Sequence, residues 1–173
     1  PAMKGVHSIA DSRISNLKAI REINPDIPTI YIKPPAVNQA KNVVKYANAS
    51  LNSSYKTIAE LDKEAGLAGK IHGVIVMIEM GELREGIVRE NILNFYEKIF
   101  QLKNIHVKGI GTNLGCMYGV EPTYDKLIQV SLYKQLIEKT FNVKLETISS
   151  GSSITLPLVG MGKIPKGVTH FRI

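Results

Sequence analysis

"IHGVIVMIEMGELREGIVRENILNFYEKIFQLKNIHVKGIGTNL", residues 71–114, decides the fold. Its first ten residues are an apolar, β-branched run that reads as a buried strand. After a charged turn, residues 89–102 carry Ile92, Phe95, Ile99 and Leu102 at helical spacing. Residues 105–114 return to a strand that runs into a loop. A strand, a helix and a second strand in such close succession form a crossover, so the two strands lie parallel.

The unit repeats in both directions. Strands are expected at 7–11, 29–33, 49–53, 144–150 and 167–173, and helices at 12–23, 38–48, 55–69 and 123–141. Asn24-Pro25 ends the first helix, and Pro34-Pro35 stops the second strand. Thr123 is placed to cap the longest helix, with Asp125 in its first turn. Strict alternation gives a parallel α/β fold, either an open doubly wound sheet or a barrel. Glycines 109, 111 and 115 do not have the spacing of a dinucleotide-binding loop. Seven strands are one short of a TIM-type (β/α)8 barrel. The expectation is therefore such a barrel lacking its first βα unit, as one partial domain over residues 1–173. "PAMKGV" (1–6) reads as the tail of an earlier helix, so the natural start is expected upstream.

Composition agrees with one domain. The chain has 173 residues, 44% hydrophobic and 21% charged, enough for a sizeable core. No run is long enough to span a membrane, and no signal-peptide pattern is visible. Cys116 is the one cysteine, so a reducing cytoplasm is expected, with Cys116 as a buried, inert thiol. The net charge is +7, but Lys and Arg are spread along helices beside acidic residues, and aromatics are 6%. No nucleic-acid motif is present, so the basic surface points to an anionic small molecule rather than nucleic acid.

In a parallel barrel the site lies at the C-terminal ends of the strands. Those ends carry Asp11, Lys33, Asn52, Glu79, Arg84, Thr112, Asn113, Ser149, His170 and Arg172, while the strand bodies are apolar. "SSGSS" (149–153) surrounds a glycine with hydroxyls, which suits an anion such as phosphate and equally a flexible turn. His170 and Arg172 share one face of the last strand. His170 reads as a hydrogen-bonded core residue. An unpaired buried arginine is costly, so Arg172 is expected to meet a ring nitrogen or a carboxylate. Arg84 is expected to line a pocket with Glu79 as its partner. Glu82 and Glu85 read as acids at the N-terminus of the next helix. No histidine pair has metal-ligand spacing, so no metal is expected.

"IADSRISNLK", "MIEMGELREGI", "GIGTNLGC", "SSGSSITLPL" and "PKGVTHFRI", in that order, resemble the pyridoxal-phosphate-dependent alanine racemase family, N-terminal barrel domain. Within it they are most similar to the ornithine-racemase-like amino-acid racemases. The resemblance covers nearly the whole chain. It implies pyridoxal 5′-phosphate (PLP) as cofactor, a small amino-acid substrate and a homodimer. It also implies racemisation by removing the α-proton of an external aldimine on one face and returning one on the other. Arg84 would then lie by the cofactor's phenolic oxygen or the substrate carboxylate. Thr112 and Asn113 would lie beside the pyridine ring, with asparagine where alanine racemases have a histidine. Ser152 and Ser153 would hold the phosphate, and Arg172 would face the pyridine nitrogen. Arginine cannot accept the ring N–H, so that nitrogen stays unprotonated and the cofactor becomes a weaker electron sink, suited to moving one proton.

The family's Schiff-base lysine ends its first barrel strand, and a catalytic tyrosine comes from a β-rich C-terminal domain. The resemblance places both outside these 173 residues, does not assign the lysine to Lys33, and implies that this chain alone is inactive. The alternative is a non-catalytic PLP-binding, cofactor-homeostasis protein of the same fold.

Overall fold

The computed structural model describes residues 7–173; the reading of residues 1–6 as a helix tail lies outside them. The elements run β1 (Ile9–Asp11), α1 (Ile14–Ile23), β2 (Thr29–Tyr31), α2 (Ala40–Tyr46), β3 (Ala49–Asn52), α3 (Tyr55–Leu67) and β4 (His72–Met77). They continue with α4 (Ile92–Ile99), β5 (Ile105–Thr112), α5 (Tyr124–Phe141), β6 (Thr147–Ser152), α6 (Leu156–Gly160) and β7 (His170–Arg172). The seven strands form one sheet in the order β1-β2-β3-β4-β5-β6-β7, and every neighbouring pair is parallel. This is the expected TIM-type barrel architecture, seven strands with helices between them. The short α6 escaped the sequence reading, because five residues are too few to show a helical period.

All six residues of β4 are buried, as a parallel strand covered on both faces requires. Val74 and Val76 point outward and pack with Ile78, Ile92, Tyr96, Ile99, Leu127 and Val130 beneath α4 and α5. Ile75 and Met77 point inward and meet Leu51 and the partly buried Ile32. A second outer layer, Leu17, Tyr31, Val43, Val44 and Leu61, seals α1 to α3 against β2 and β3. The period of α4 holds, but Tyr96 rather than Phe95 is fully buried, and its hydroxyl donates to the Gly109 carbonyl at 3.3 Å. Thr123 caps α5 as expected, accepting from the Lys126 N–H at 3.3 Å.

Beneath α2 and α3 lies a buried polar chain. Asn52 Nδ2 donates to Ser50 Oγ at 2.9 Å, and Ser50 Oγ meets His72 Nε2 at 2.8 Å. Burial, with Lys70 nearby, pushes His72 down from 6.5 to about 4, against the pull of its bond to the Ala47 backbone. A depressed histidine is neutral in the fold and takes up its proton on unfolding. Stability is therefore full above pH 6.5 and falls progressively toward pH 4, by on the order of 3 kcal/mol. Urea denaturation at pH 7.5 and pH 4.5 should show that loss, and His72→Gln should remove most of it. His170, also lowered by burial and by Arg172, adds a smaller slope of the same sign.

Candidate functional site

The loop after β4 is the frame of the site. Gly86 has φ +146°, and a Cβ there would stand 2.4 Å from the Glu79 nitrogen. Only glycine lets the chain fold back so closely. Ile87 N–H then donates to the Met77 carbonyl at 2.8 Å, and Glu79 N–H to the Ile87 carbonyl at 3.0 Å. Glu82 lies inside this closed loop, 1% exposed. Its carboxylate accepts four backbone N–H groups: Cys116 at 3.1 Å, Met117 at 2.7 Å, Tyr118 at 3.1 Å and Val120 at 2.9 Å. Burial alone would raise that carboxyl, but the four donors overcome it and bring it from 4.5 down to about 2. Glu82 is thus an anchor tying the loop after β4 to the loop after β5, not a helix-terminal charge.

Glu85, too, is no helix-terminal charge. Its carboxylate pairs with Arg84 Nε at 2.9 Å and accepts from Asn113 Nδ2. Glu79, the expected partner of Arg84, instead accepts from the Gly81 N–H. Burial raises Glu85, opposed by Arg84, Arg172 and the Asn113 bond.

Cys116 is exposed at the mouth, not buried, and Arg84 Nη1 donates to its sulfur. The Glu82 anchor holds this backbone outward, so the thiol has no core to enter.

Arg172 sits at the centre, half-buried. Nη1 donates to Ser149 Oγ at 2.6 Å and to the Ser149 carbonyl at 3.5 Å. Nη2 donates to the Thr112 carbonyl at 2.8 Å and to Asn113 Oδ1. His170 Nδ1 meets the same Ser149 Oγ at 2.8 Å. Four of the five guanidinium N–H groups are used, leaving Nε–H as the donor without a partner among the described residues. Burial lowers Arg172, with Glu85 opposing.

Of the expected site residues, the structure brings together Arg84, Asn113 and Arg172. The Thr112 hydroxyl is occupied, donating to the Ile78 carbonyl at 2.9 Å, so Thr112 offers its backbone oxygen only. Ser152 is half-buried and Ser153 exposed at the end of β6, outside this network. Glu85, read from the sequence as a helix-terminal acid, and Ser149, read as one of the strand-end hydroxyls, take roles in this network that the sequence did not assign. A cavity of about 460 Å³ opens beside Arg84 and Glu85, lined also by Lys33 and Ser53. Another, of about 380 Å³, lies around the opposite strand ends at Thr29, Ala49, Lys108, Glu146 and Thr147, and reaches His170 from that side.

The alanine racemase, N-terminal domain, family model matches residues 1–170. An ornithine racemase of Acetoanaerobium sticklandii is 36% identical over 169 residues, 97% of this chain and 47% of that protein. A lysine racemase of Thermotoga maritima is 30% identical over 172 residues, 98% of this chain and 47% of that protein. The chain thus spans about half the length of these curated relatives. Among solved structures, PipY of Synechococcus elongatus with PLP bound superposes with a TM-score of 0.78 at 16% identity, covering 94% of this chain and 77% of PipY. That is a likeness of fold. Among the described residues no helix is long and apolar enough to cross a membrane.

Proposed function

Because the chain belongs to the alanine racemase N-terminal domain family, we propose that it forms the cofactor-binding barrel of a PLP-dependent racemase acting on a basic amino acid such as ornithine or lysine. The observation that carries this reading is the convergence of Arg84, Asn113 and Arg172 at the barrel mouth with one guanidinium donor uncommitted. The residues suit a flat anionic cofactor. Gly151 has no side chain, and a Cβ there would meet Thr155 Oγ1 at 2.4 Å; the Ser152 N–H donates to the same Thr155 Oγ1 at 3.3 Å, so a phosphate would be met by the Ser152 and Ser153 hydroxyls. Arg172 would hold the ring nitrogen through Nε–H and keep it unprotonated. Asn113 would flank the ring, and Arg84 would orient the phenolic oxygen or the substrate carboxylate. When bound, PLP would draw electrons from the amino acid's α-carbon and acidify its proton.

The proposal includes a homodimer, and it puts the lysine that bonds the cofactor outside these residues rather than at Lys33. Borohydride reduction of the full protein with PLP, followed by mass spectrometry, tests this: a label on Lys33 alone would overturn it. In the same protein, Arg172→Leu is expected to slow racemisation of ornithine or lysine by on the order of 100-fold. An unchanged rate would remove Arg172 from the site. Tight PLP binding without turnover of any amino acid would favour a cofactor-handling protein of this fold.

A further inference from the structure

We propose that Glu85 is a positioning residue that orients Arg172 through the Asn113 amide. The inference rests on the cofactor reading only for its functional meaning.

A carboxylate accepts only, and a guanidinium donates only. The Asn113 amide stands between the two, with Nδ2 toward Glu85 Oε1 and Oδ1 toward Arg172 Nη2. That orientation satisfies both neighbours, and the reverse satisfies neither. Glu85 is itself held by Arg84 Nε at 2.9 Å, so the amide is fixed from a side the arginine does not reach.

Three further acceptors hold the guanidinium, and Asn113 supplies the fourth bond. The Thr112 carbonyl takes the same nitrogen as Asn113, and Ser149 takes the other. Removing Glu85 leaves Nδ2 without its acceptor and the amide free to rotate, which loosens the bond to Nη2. The uncommitted Nε–H, the donor that would face a ligand, moves with the guanidinium plane. Sequence separation hides this chain of contacts: it joins the loop after β4, the end of β5 and β7.

The test uses the cofactor-free full protein labelled with 15N-arginine. In the wild type the Arg172 Nη groups should rotate slowly about their C–N bonds. Glu85→Ala should speed that rotation by on the order of tenfold, the size of one charge-assisted hydrogen bond. Asn113→Ala should do the same, and the double variant should be no faster than either single one. Glu85→Gln presents a carbonyl oxygen to Nδ2 and should stay near the wild-type rate. Additive effects in the double variant would mean that Glu85 acts on Arg172 by its charge alone, and would sink the relay. So would an unchanged rate in Glu85→Ala. If Glu85→Ala does not fold, Glu85→Gln set against Asn113→Ala decides: equal speeding in both overturns the proposal. A parallel titration with PLP separates the two readings. A relay seen without PLP binding keeps this inference and fails the cofactor reading, and PLP binding without the relay does the reverse.

Discussion

Glu82→Gln is expected to cost the fold on the order of 4 kcal/mol and to free the segment 115–120. The carboxylate has two oxygens, each accepting two backbone N–H groups. Glutamine replaces one oxygen with an amino group, which then faces two donors. Each stranded donor costs about 1–3 kcal/mol. The neighbouring Leu83 adds to the sensitivity. It is held at φ 49° and stands 74% exposed, so little besides the Glu82 anchor holds it there. Hydrogen exchange at the amides of Cys116, Met117, Tyr118 and Val120 should rise sharply in the variant while β4 and β5 stay protected. The pH dependence carries its own sign. Glu82 is depressed, so its contribution is complete above pH 4.5 and is lost as pH falls toward about 2. That window lies below the one assigned to His72, and the variant should lack it. Wild-type protection factors in this loop that stay flat from pH 4.5 to 2.5, once the intrinsic pH dependence of exchange is divided out, would refute the anchor.

Gly109→Ala is expected to destabilise by about 3 kcal/mol or more. A Cβ at this position would lie 2.0 Å from the Thr147 carbonyl oxygen, a backbone atom that cannot turn aside. β5 and β6 would have to separate, and with them the ends that carry Thr112, Asn113 and Ser149. Gly160→Ala is the control. Nothing lies within 4 Å of a Cβ there, so the change should stay within about 0.5 kcal/mol. Equal urea midpoints for the two variants would refute the close-approach account of Gly109.

Hydrophobic period was enough to place the strands and the five longer helices, because burial on both faces imposes it at every turn. It could not choose between Phe95 and Tyr96, since both fall within one helical stripe and only the packing against Gly109 decides. Arg172 was readable because a half-buried guanidinium must find acceptors. Glu85 and Ser149 were not, since each meaning comes from a partner far away in sequence: Glu85 from Asn113 and Ser149 from Arg172. Glu82 misled for the same reason. Beside a helix start, a carboxylate looks like a dipole partner, and nothing local reveals four amides from another loop.

The strict order of the sheet also sets a sequence of assembly. Each strand pairs with the one made just before it, and the widest loop to close runs from Gly109 to Thr147, 38 residues apart (147 − 109). Closure entropy grows slowly with such lengths, so a nascent chain can add strands as they emerge from the ribosome. Among the described strands β7 is then the last to dock. The acceptors Asn113, Thr112 and Ser149 stand ready before Arg172 arrives, and a chain stopped short of residue 170 is a scaffold still waiting for its cation.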